Sequence, residues 1–542
     1  METNQIKLFD TTLRDGSQGE NLSFSVEDKL QIVKKLDEFG IHYIEGGWPG
    51  SNPKDLEFFK QVKHLKCKTA KIVAFGSTCY KKNSEKTDPR LMSLLAAETE
   101  VVTIFGKSWL LHIETALQTS PGENLRMIED SVAFLKSKGK EVIYDAEHFF
   151  DGYLDNPEYA LNTLQAAQKG KADTLVLCDT NGGMLPDKIA EIVAIVKSNF
   201  DLPIGIHAHN DGELAVANTL MAVKNGVSHV QGTFNGYGER CGNANLCSII
   251  PNLQLKLKYH CIPDESLATL TYVSKYIAEI ANMSHRDNFP FVGKSAFAHK
   301  GGIHVSAVMK NSKTYEHLSP DQLGNRRRVL VSDLSGKSNI LYKAEELGIN
   351  LSQHQDKIPQ IVEKLKELEN LGYQYEAAEG SLELLIRQIT GEWKSFFELG
   401  GFRILMEKDK GGIPRSEATI RLNVNDTQEH IASEGDGPVH ALDNALRRAL
   451  FSFYPEIKDV SLSDYKVRVL NQKDGTSAGV RVLITFFANN CKWGTVGLSE
   501  NIIEASWQAL TDGYSYFLLK QKSQSSHNTE SIITLSSNAI LN

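Results

Sequence analysis

Paired cysteines are missing from this sequence. Its seven cysteines, an odd number scattered over 542 residues, include no C-x-x-C spacing. That pattern argues against a disulfide scaffold or a zinc knuckle and for reduced thiols in a cytosol. Long apolar runs are missing too: no stretch of about 18 apolar residues occurs, so no segment has the length to span a bilayer. The N-terminus, METNQIKLFDTTLRDG, turns strand-like by residue 6. It shows no charged segment followed by an apolar one, so no secretory leader is expected and the location expected is cytoplasmic. Nor is there surplus positive charge: 59 Lys and Arg against 67 Asp and Glu give −8. The chain as a whole therefore has no electrostatic reason to seek nucleic acid or acidic membranes. What remains is an ordinary globular balance, 41% hydrophobic and 23% charged, with enough apolar surface for a large core.

The first 260 residues repeat one pattern, a short β-branched run followed by a loop and an amphipathic helix. The runs fall at 6–12, 42–47, 71–76, 101–106, 141–148, 174–180, 203–209 and 229–236. They are nearly continuous apolar stretches, as strands covered on both faces should be. Between them lie helical periods such as VEDKLQIVKKLDEFG, which Ser25 can cap and Gly40 can end. Eight alternations in that length match a (β/α)8 TIM barrel; an open doubly wound sheet would more often use five or six strands.

Beyond residue 260 strands are expected to stop, and segments 269–283 and 352–372 read as helices of an appendage. Near residue 400 the pattern changes again. Strand, strand, helix occurs twice, a degenerate duplication suited to a pseudo-symmetric α+β module. The expected α/β chain is thus a barrel over 1–260, a helical subdomain and linker over 261–400, and a C-terminal α+β domain over 401–522. The polar residues 523–542 are expected to form a flexible tail.

A parallel barrel gathers its chemistry at the C-terminal ends of its strands. There the sequence delivers Arg14 and Asp15, Glu45, Glu147, Asp179 and Thr180, His207 and His209, and then Glu239, Arg240 and Asn243. In H-A-H on a strand both imidazoles point to one side. With a carboxylate such as Asp15 they make a mixed N/O site suited to Zn, Mn, Co or Fe. The alternative is a pair of hydrogen-bonded core histidines; the flanking carboxylate and the position at the mouth favour the ion. Arg14 beside that ion could stabilise an alkoxide formed when a ketone is attacked. It could equally be salt-bridged to Glu45, and both can hold together. The glycine-rich GYGERCGNANL (236–246) does not fit a phosphate-binding G-x-x-x-x-G-K-[ST]. Close backbone approach at the mouth, with Asn243 facing the ion, is the better reading. Cys178 and Cys241 lie near the mouth without an activated partner and read as packing residues. The run Arg326, Arg327 and Arg328 reads as a solvated or salt-bridged face rather than a phosphate contact.

Taken together, FDTTLRDGSQ, HAHND and GYGERCGNANL resemble the metal-dependent Claisen-condensing barrel family that includes 2-isopropylmalate and homocitrate synthases. Related retro-Claisen lyases share the barrel. The runs YIEGGWPGSNPKD, TIFGKSWLLHI, YDAEHFFDGY, LCDTNGGMLP and NRRRVLVSDLSGKSNI look like the longer members that use pyruvate. The resemblance implies an acyltransferase with a divalent ion (Mn, Mg, Zn or Co) held by Asp15, His207 and His209, with Asn243 as a further or water-mediated ligand. It implies acetyl-CoA as co-substrate and pyruvate as acceptor, the first step of a pyruvate route to isoleucine. Arg14 would polarise the 2-oxo group and Thr180 would hold the substrate carboxylate. Glu45 and Tyr144 would join the substrate-binding set, and Glu147 matches a family glutamate near the substrate. GGIHVSAV (301–308) matches a family G-x-H-Q-D-G in which Val305 and Ser306 replace the glutamine and aspartate. His304 is then the general base or its partner without the usual neighbouring acid, and Tyr315 the catalytic-region tyrosine. GDGPVHALDNALRRAL (435–450) resembles an allosteric module, implying a homodimer with isoleucine as effector. A larger 2-oxo acid, or a non-catalytic amino-acid-sensing regulator, are the competing functions. Ile104 and Phe105, apolar at the end of strand four, favour pyruvate.

Overall fold

The computed structural model describes residues 5–408, 410–470 and 478–538, with side chains up to Lys522. It divides into two compact units: Met1–Phe297 with Leu318–Arg327, and Ala298–His317 with Arg328–Asn542.

In the first unit, eight strands close into a barrel. They are β1 (Lys7–Asp10), β2 (Tyr43–Gly47), β3 (Lys71–Ser77), β4 (Val101–Lys107), β5 (Glu141–Glu147), β6 (Thr174–Asp179), β7 (Ile204–Ala208) and β8 (His229–Gly232). All neighbours pair in parallel, and β8 closes on β1 with Phe9 opposite Gln231. Alternate residues divide the apolar surface in two. Phe9, Tyr43, Val73, Val101, Ile143, Val176 and Cys178 form a cluster of their own inside the barrel. Their neighbours, such as Leu8, Ile44, Val102, Ile104 and Tyr144, belong to a larger cluster beneath the helices. Both faces are dry, which is why the strands read as unbroken apolar runs.

The helix Val26–Phe39 shows how sequence sets an element's bounds. Ser25 accepts from the Asp28 N–H and Asp28 answers in a capping box, while Gly40 ends the helix at φ +100°. Ile32, Val33, Leu36 and Phe39 are its buried stripe. Lys29 is buried on the same helix, its ammonium 2.6 Å from Asp55 Oδ1 and 2.8 Å from the Gly46 carbonyl. Asp55 also accepts from the Trp48 N–H, so this ion pair ties down the end of β2. Lys29→Met should cost roughly 3–5 kcal/mol, because it leaves Asp55 buried without its cation. Urea unfolding followed by circular dichroism measures it.

In the second unit, two short strands, β9 (Ala298–His299) and β10 (Arg328–Val329), pair in parallel. They correct the expectation that strands stop between 260 and 400: two residues are too few to show any periodicity. Helices Gly302–Lys310, Lys337–Glu346, Ile358–Leu371 and Glu379–Thr390 follow the sequence reading of a helical segment, and Ile340, Ile358, Ile361, Leu365 and Ile386 share their core. After them come two three-stranded antiparallel sheets: β11 (Glu398–Glu407), β12 (Arg415–Val424) and β13 (Thr427–Gly435), then β14 (Ser461–Val469), β15 (Val480–Ala488) and β16 (Cys491–Ser499). Each sheet is followed by a helix, Pro438–Phe451 and Ile502–Asn538. The duplication therefore carries three strands per copy rather than two. Ile420, Leu446, Phe486, Trp493 and Leu510 pack in one shared core. The expected tail over 523–542 is helical in backbone to Asn538, and 539–542 lie outside the described residues. No helix among the described residues is long and apolar enough to cross a membrane.

Candidate active site

The turn after β1 and the end of β7 bring Asp15, His207 and His209 together, with ligating atoms within 4.8 Å of one another. Asp15 Oδ2 lies 3.2 Å from His207 Nε2 and 3.8 Å from His209 Nε2. All three residues are buried. Burial works against a charge on Asp15, but Arg14 and the two imidazoles outweigh it and hold the carboxyl well below the usual carboxylate range. Burial also favours neutral imidazoles. His209 falls to about 4, aided by the charge of His207. His207 ends above its ordinary value, because the hydrogen bond and charge of Asp15 overcome its burial.

The donor set fits a divalent cation. Two imidazole nitrogens and one carboxylate face a common point, and a cation there competes with the His207 proton for the same atoms. Asn243, 2% exposed, pairs with His209 through an isolated bridge and gives its Nδ2 to the Tyr237 carbonyl at 3.2 Å. Its Oδ1 is buried with no hydrogen-bond partner among the described residues, as a ligand oxygen would be. The loop before it has no slack. Gly242 sits at φ +88°, and a Cβ there would lie 2.0 Å from the Gly236 carbonyl oxygen. Gly242→Ala should destabilise the barrel by about 1–3 kcal/mol and shrink the rise in Tm on adding Mn²⁺. Differential scanning calorimetry with and without the ion reads both.

Arg14 is held on three sides. Its Nε donates to Glu45 Oε2 at 2.6 Å, one terminal nitrogen lies 3.6 Å from Asp15, and the guanidinium lies over the Phe75 ring at 3.8 Å. The salt bridge to Glu45 that the sequence allowed is present. Phe75 stacks on Phe105 at 5.5 Å, and Trp48 meets both rings edge-on at 5.8 Å.

Three family models match in succession: HMGL-like over residues 5–276, homocitrate synthase post-HMGL domain-like over 291–372, and the LeuA allosteric (dimerisation) domain over 376–518. The chain is 56% identical over 522 residues to the (R)-citramalate synthase of Aquifex aeolicus, covering 96% of this chain and 99% of that one. It is 55% identical over 518 residues to that of Geobacter sulfurreducens, covering 95% and 98%. The chain belongs to the (R)-citramalate synthase family. A probable 2-isopropylmalate synthase of Methanopyrus kandleri is more distant, 30% identical over 514 residues with 94% and 98% covered.

In this member of the citramalate synthase family, other expected site residues are placed as follows. Thr180 follows β6, and its Oγ1 accepts the His148 N–H at 2.9 Å, leaving the hydroxyl hydrogen to give. Glu147 ends β5 in an ion pair with Lys107. Glu45 is fully buried and faces Arg14, which makes it a holder of Arg14. Tyr144 is not brought to the site: strand alternation turns it outward, into the apolar layer under the helices. Ile104 turns outward in the same way, whereas Phe105 joins the aromatic wall. His304 and Tyr315 belong to the second unit, where their rings lie 4.3 Å apart. Next to Tyr315, Glu316 is 6% exposed and pairs with His299 at 3.1 Å.

Two lumen residues escaped the sequence reading, Asp145 and Gln231. Asp145 is pushed up to about 7, by burial first and the nearby Glu45 charge next. Strand parity was the available signal, since Asp145 lies two residues from both Ile143 and Glu147 on one face of β5.

Proposed function

We propose that the chain is an acyltransferase that condenses acetyl-CoA with pyruvate and hydrolyses the thioester, releasing (R)-citramalate and CoA. The observation that carries this is the buried Asp15–His207–His209 cluster with Arg14 fixed beside it. Asp15, His207 and His209, with Asn243, would hold a divalent ion, Mn, Mg, Zn or Co. When bound, that ion supplies Lewis-acid polarisation of the 2-oxo group.

The chain's own groups do the rest. The Thr180 hydroxyl donates to the carboxylate of pyruvate. His304, beside Tyr315, takes a proton from the acetyl methyl group, and the resulting carbon attacks the keto carbon. Arg14, its Nε committed to Glu45, turns its remaining N–H groups to the oxygen that gains charge. The proton taken from the methyl group ends on that oxygen, and water cleaves the thioester, its OH going to the acyl carbon and its remaining hydrogen to the thiol. The aromatic wall of Trp48, Phe75 and Phe105 suits the methyl group of pyruvate rather than a second carboxylate, whose burial would need another cation.

The C-terminal module pairs two chains in this reading and takes isoleucine as its effector, and the enzyme works in the cytoplasm. Light scattering and inhibition by added isoleucine test the first two. The substrate assignment is tested by CoA release from acetyl-CoA offered separately with pyruvate, 2-oxoisovalerate and 2-oxoglutarate. Chelator-sensitive release with pyruvate alone is expected. Preference for either larger acid would move the chain to a sister activity, and silence with all three would revive the amino-acid sensor.

A further inference from the structure

The barrel interior holds a polar chain behind His207 whose two further members the reaction chemistry above leaves unused. His207, Gln231 and Asp145 are 6%, 0% and 4% exposed. His207 Nδ1 lies 2.9 Å from Gln231 Oε1, and Gln231 Nε2 donates to Asp145 Oδ1 at 3.0 Å. β7 and β8 are neighbours, but β5 is not next to β8, so the second bond crosses the lumen. Gln231 gives its NH2 end to Asp145 and turns its carbonyl to His207. A carbonyl oxygen only accepts, so the ring nitrogen facing it carries a hydrogen. Once a divalent ion takes the place of the proton that Nε2 shares with Asp15, the ring would keep its hydrogen on Nδ1 and offer the Nε2 lone pair to the ion.

We propose that Gln231 and Asp145 are positioning residues that lock His207 in the Nδ1–H tautomer and so present Nε2 to the divalent ion. This rests on the metal-centre reading given above. A carboxylate bonded straight to the imidazole is the common arrangement around ligating histidines. Here the amide stands between ring and carboxylate, so Asp145 orients His207 without bonding to it directly. Outer partners of this kind typically change metal affinity about 10- to 100-fold when removed.

Asp145→Asn is the decisive variant, because it keeps the shape and offers an NH2 group. Gln231 can then flip and give its own NH2 to Nδ1, which favours the other tautomer. Zn²⁺ affinity is measured on the metal-stripped full chain by competition with a chromogenic chelator. Asp145→Asn and Gln231→Leu should each weaken binding about 10- to 100-fold. The double variant should bind no more weakly than Gln231→Leu alone, since a broken lock cannot be broken twice. Unchanged affinity in Asp145→Asn, or losses that simply add, would overturn the proposal. Should Gln231→Leu fail to fold, ¹⁵N-histidine NMR of the Zn²⁺-loaded protein decides, with His207→Asn identifying the signal. His207 should show a slowly exchanging Nδ1–H in the wild type and lose that protection in Asp145→Asn; a freely exchanging Nδ1–H in the wild type contradicts the lock. Pyruvate-dependent CoA release separates the two ideas. Its failure with the affinity pattern intact removes the synthase reading alone, and its success with indifferent variants removes the lock alone.

Discussion

Arg14→Lys should lower kcat by roughly 10²–10³-fold, the loss seen when one oriented donor to a developing oxyanion is removed. The charge is kept in this variant, so the loss isolates geometry. A guanidinium can bond Glu45 through Nε, lie flat on Phe75 and still present further N–H groups beside Asp15. A lysine ammonium is a point charge without the planar fork, and satisfying Glu45 draws it away from the reacting oxygen. Arg14→Ala is less clean. Glu45 is fully buried, and stripping its cation adds about 3–5 kcal/mol of instability to any catalytic effect. Steady-state kinetics with a parallel Zn²⁺ titration should show metal affinity little changed in Arg14→Lys. Unchanged kcat would reduce Arg14 to a salt bridge.

Asp15→Asn should cost more. The substitution keeps the shape and removes the only carboxylate of the three-residue cluster. Metal affinity should fall by at least about 10²-fold, beyond the range typical of outer partners, and CoA release should fall to background. A second consequence has a definite sign. His207 lies above its ordinary pKa through the hydrogen bond and charge of Asp15, working against burial. Without that carboxylate, burial and the Arg14 charge should leave it below. A histidine titration by NMR in the metal-free protein follows this directly. Retained metal binding and activity in Asp15→Asn would remove the cluster from the mechanism.

The barrel was legible because each strand is buried on both faces, so β-branched runs such as KIVAFG and TLVLCD stand out between capped helices. The Asp15–His207–His209 cluster was legible because H-A-H repeats at the strand's own period. Tyr144 went astray for the complementary reason. An unbroken apolar run does not say which parity faces the lumen, and a one-residue error sends a side chain to the opposite layer. The same ambiguity hid Asp145 behind its neighbour and set Ile104, which turns outward, alongside Phe105. Gln231 was hidden differently, since a lone glutamine in a strand carries no motif and shows its role only through what it touches across the barrel. In the second unit, β9 and β10 are too short for any pattern. The first three-strand copy was read as a two-strand one because β11 begins among glycines, ELGGF, which blur its alternation.

The most direct measurement is thiol release by metal-stripped full-length protein supplied with acetyl-CoA and pyruvate, before and after Mn²⁺ is restored. The account predicts negligible release from the stripped protein and pyruvate-dependent release once the ion is back. Undiminished release from the stripped protein, or continued silence after the ion returns, would contradict it.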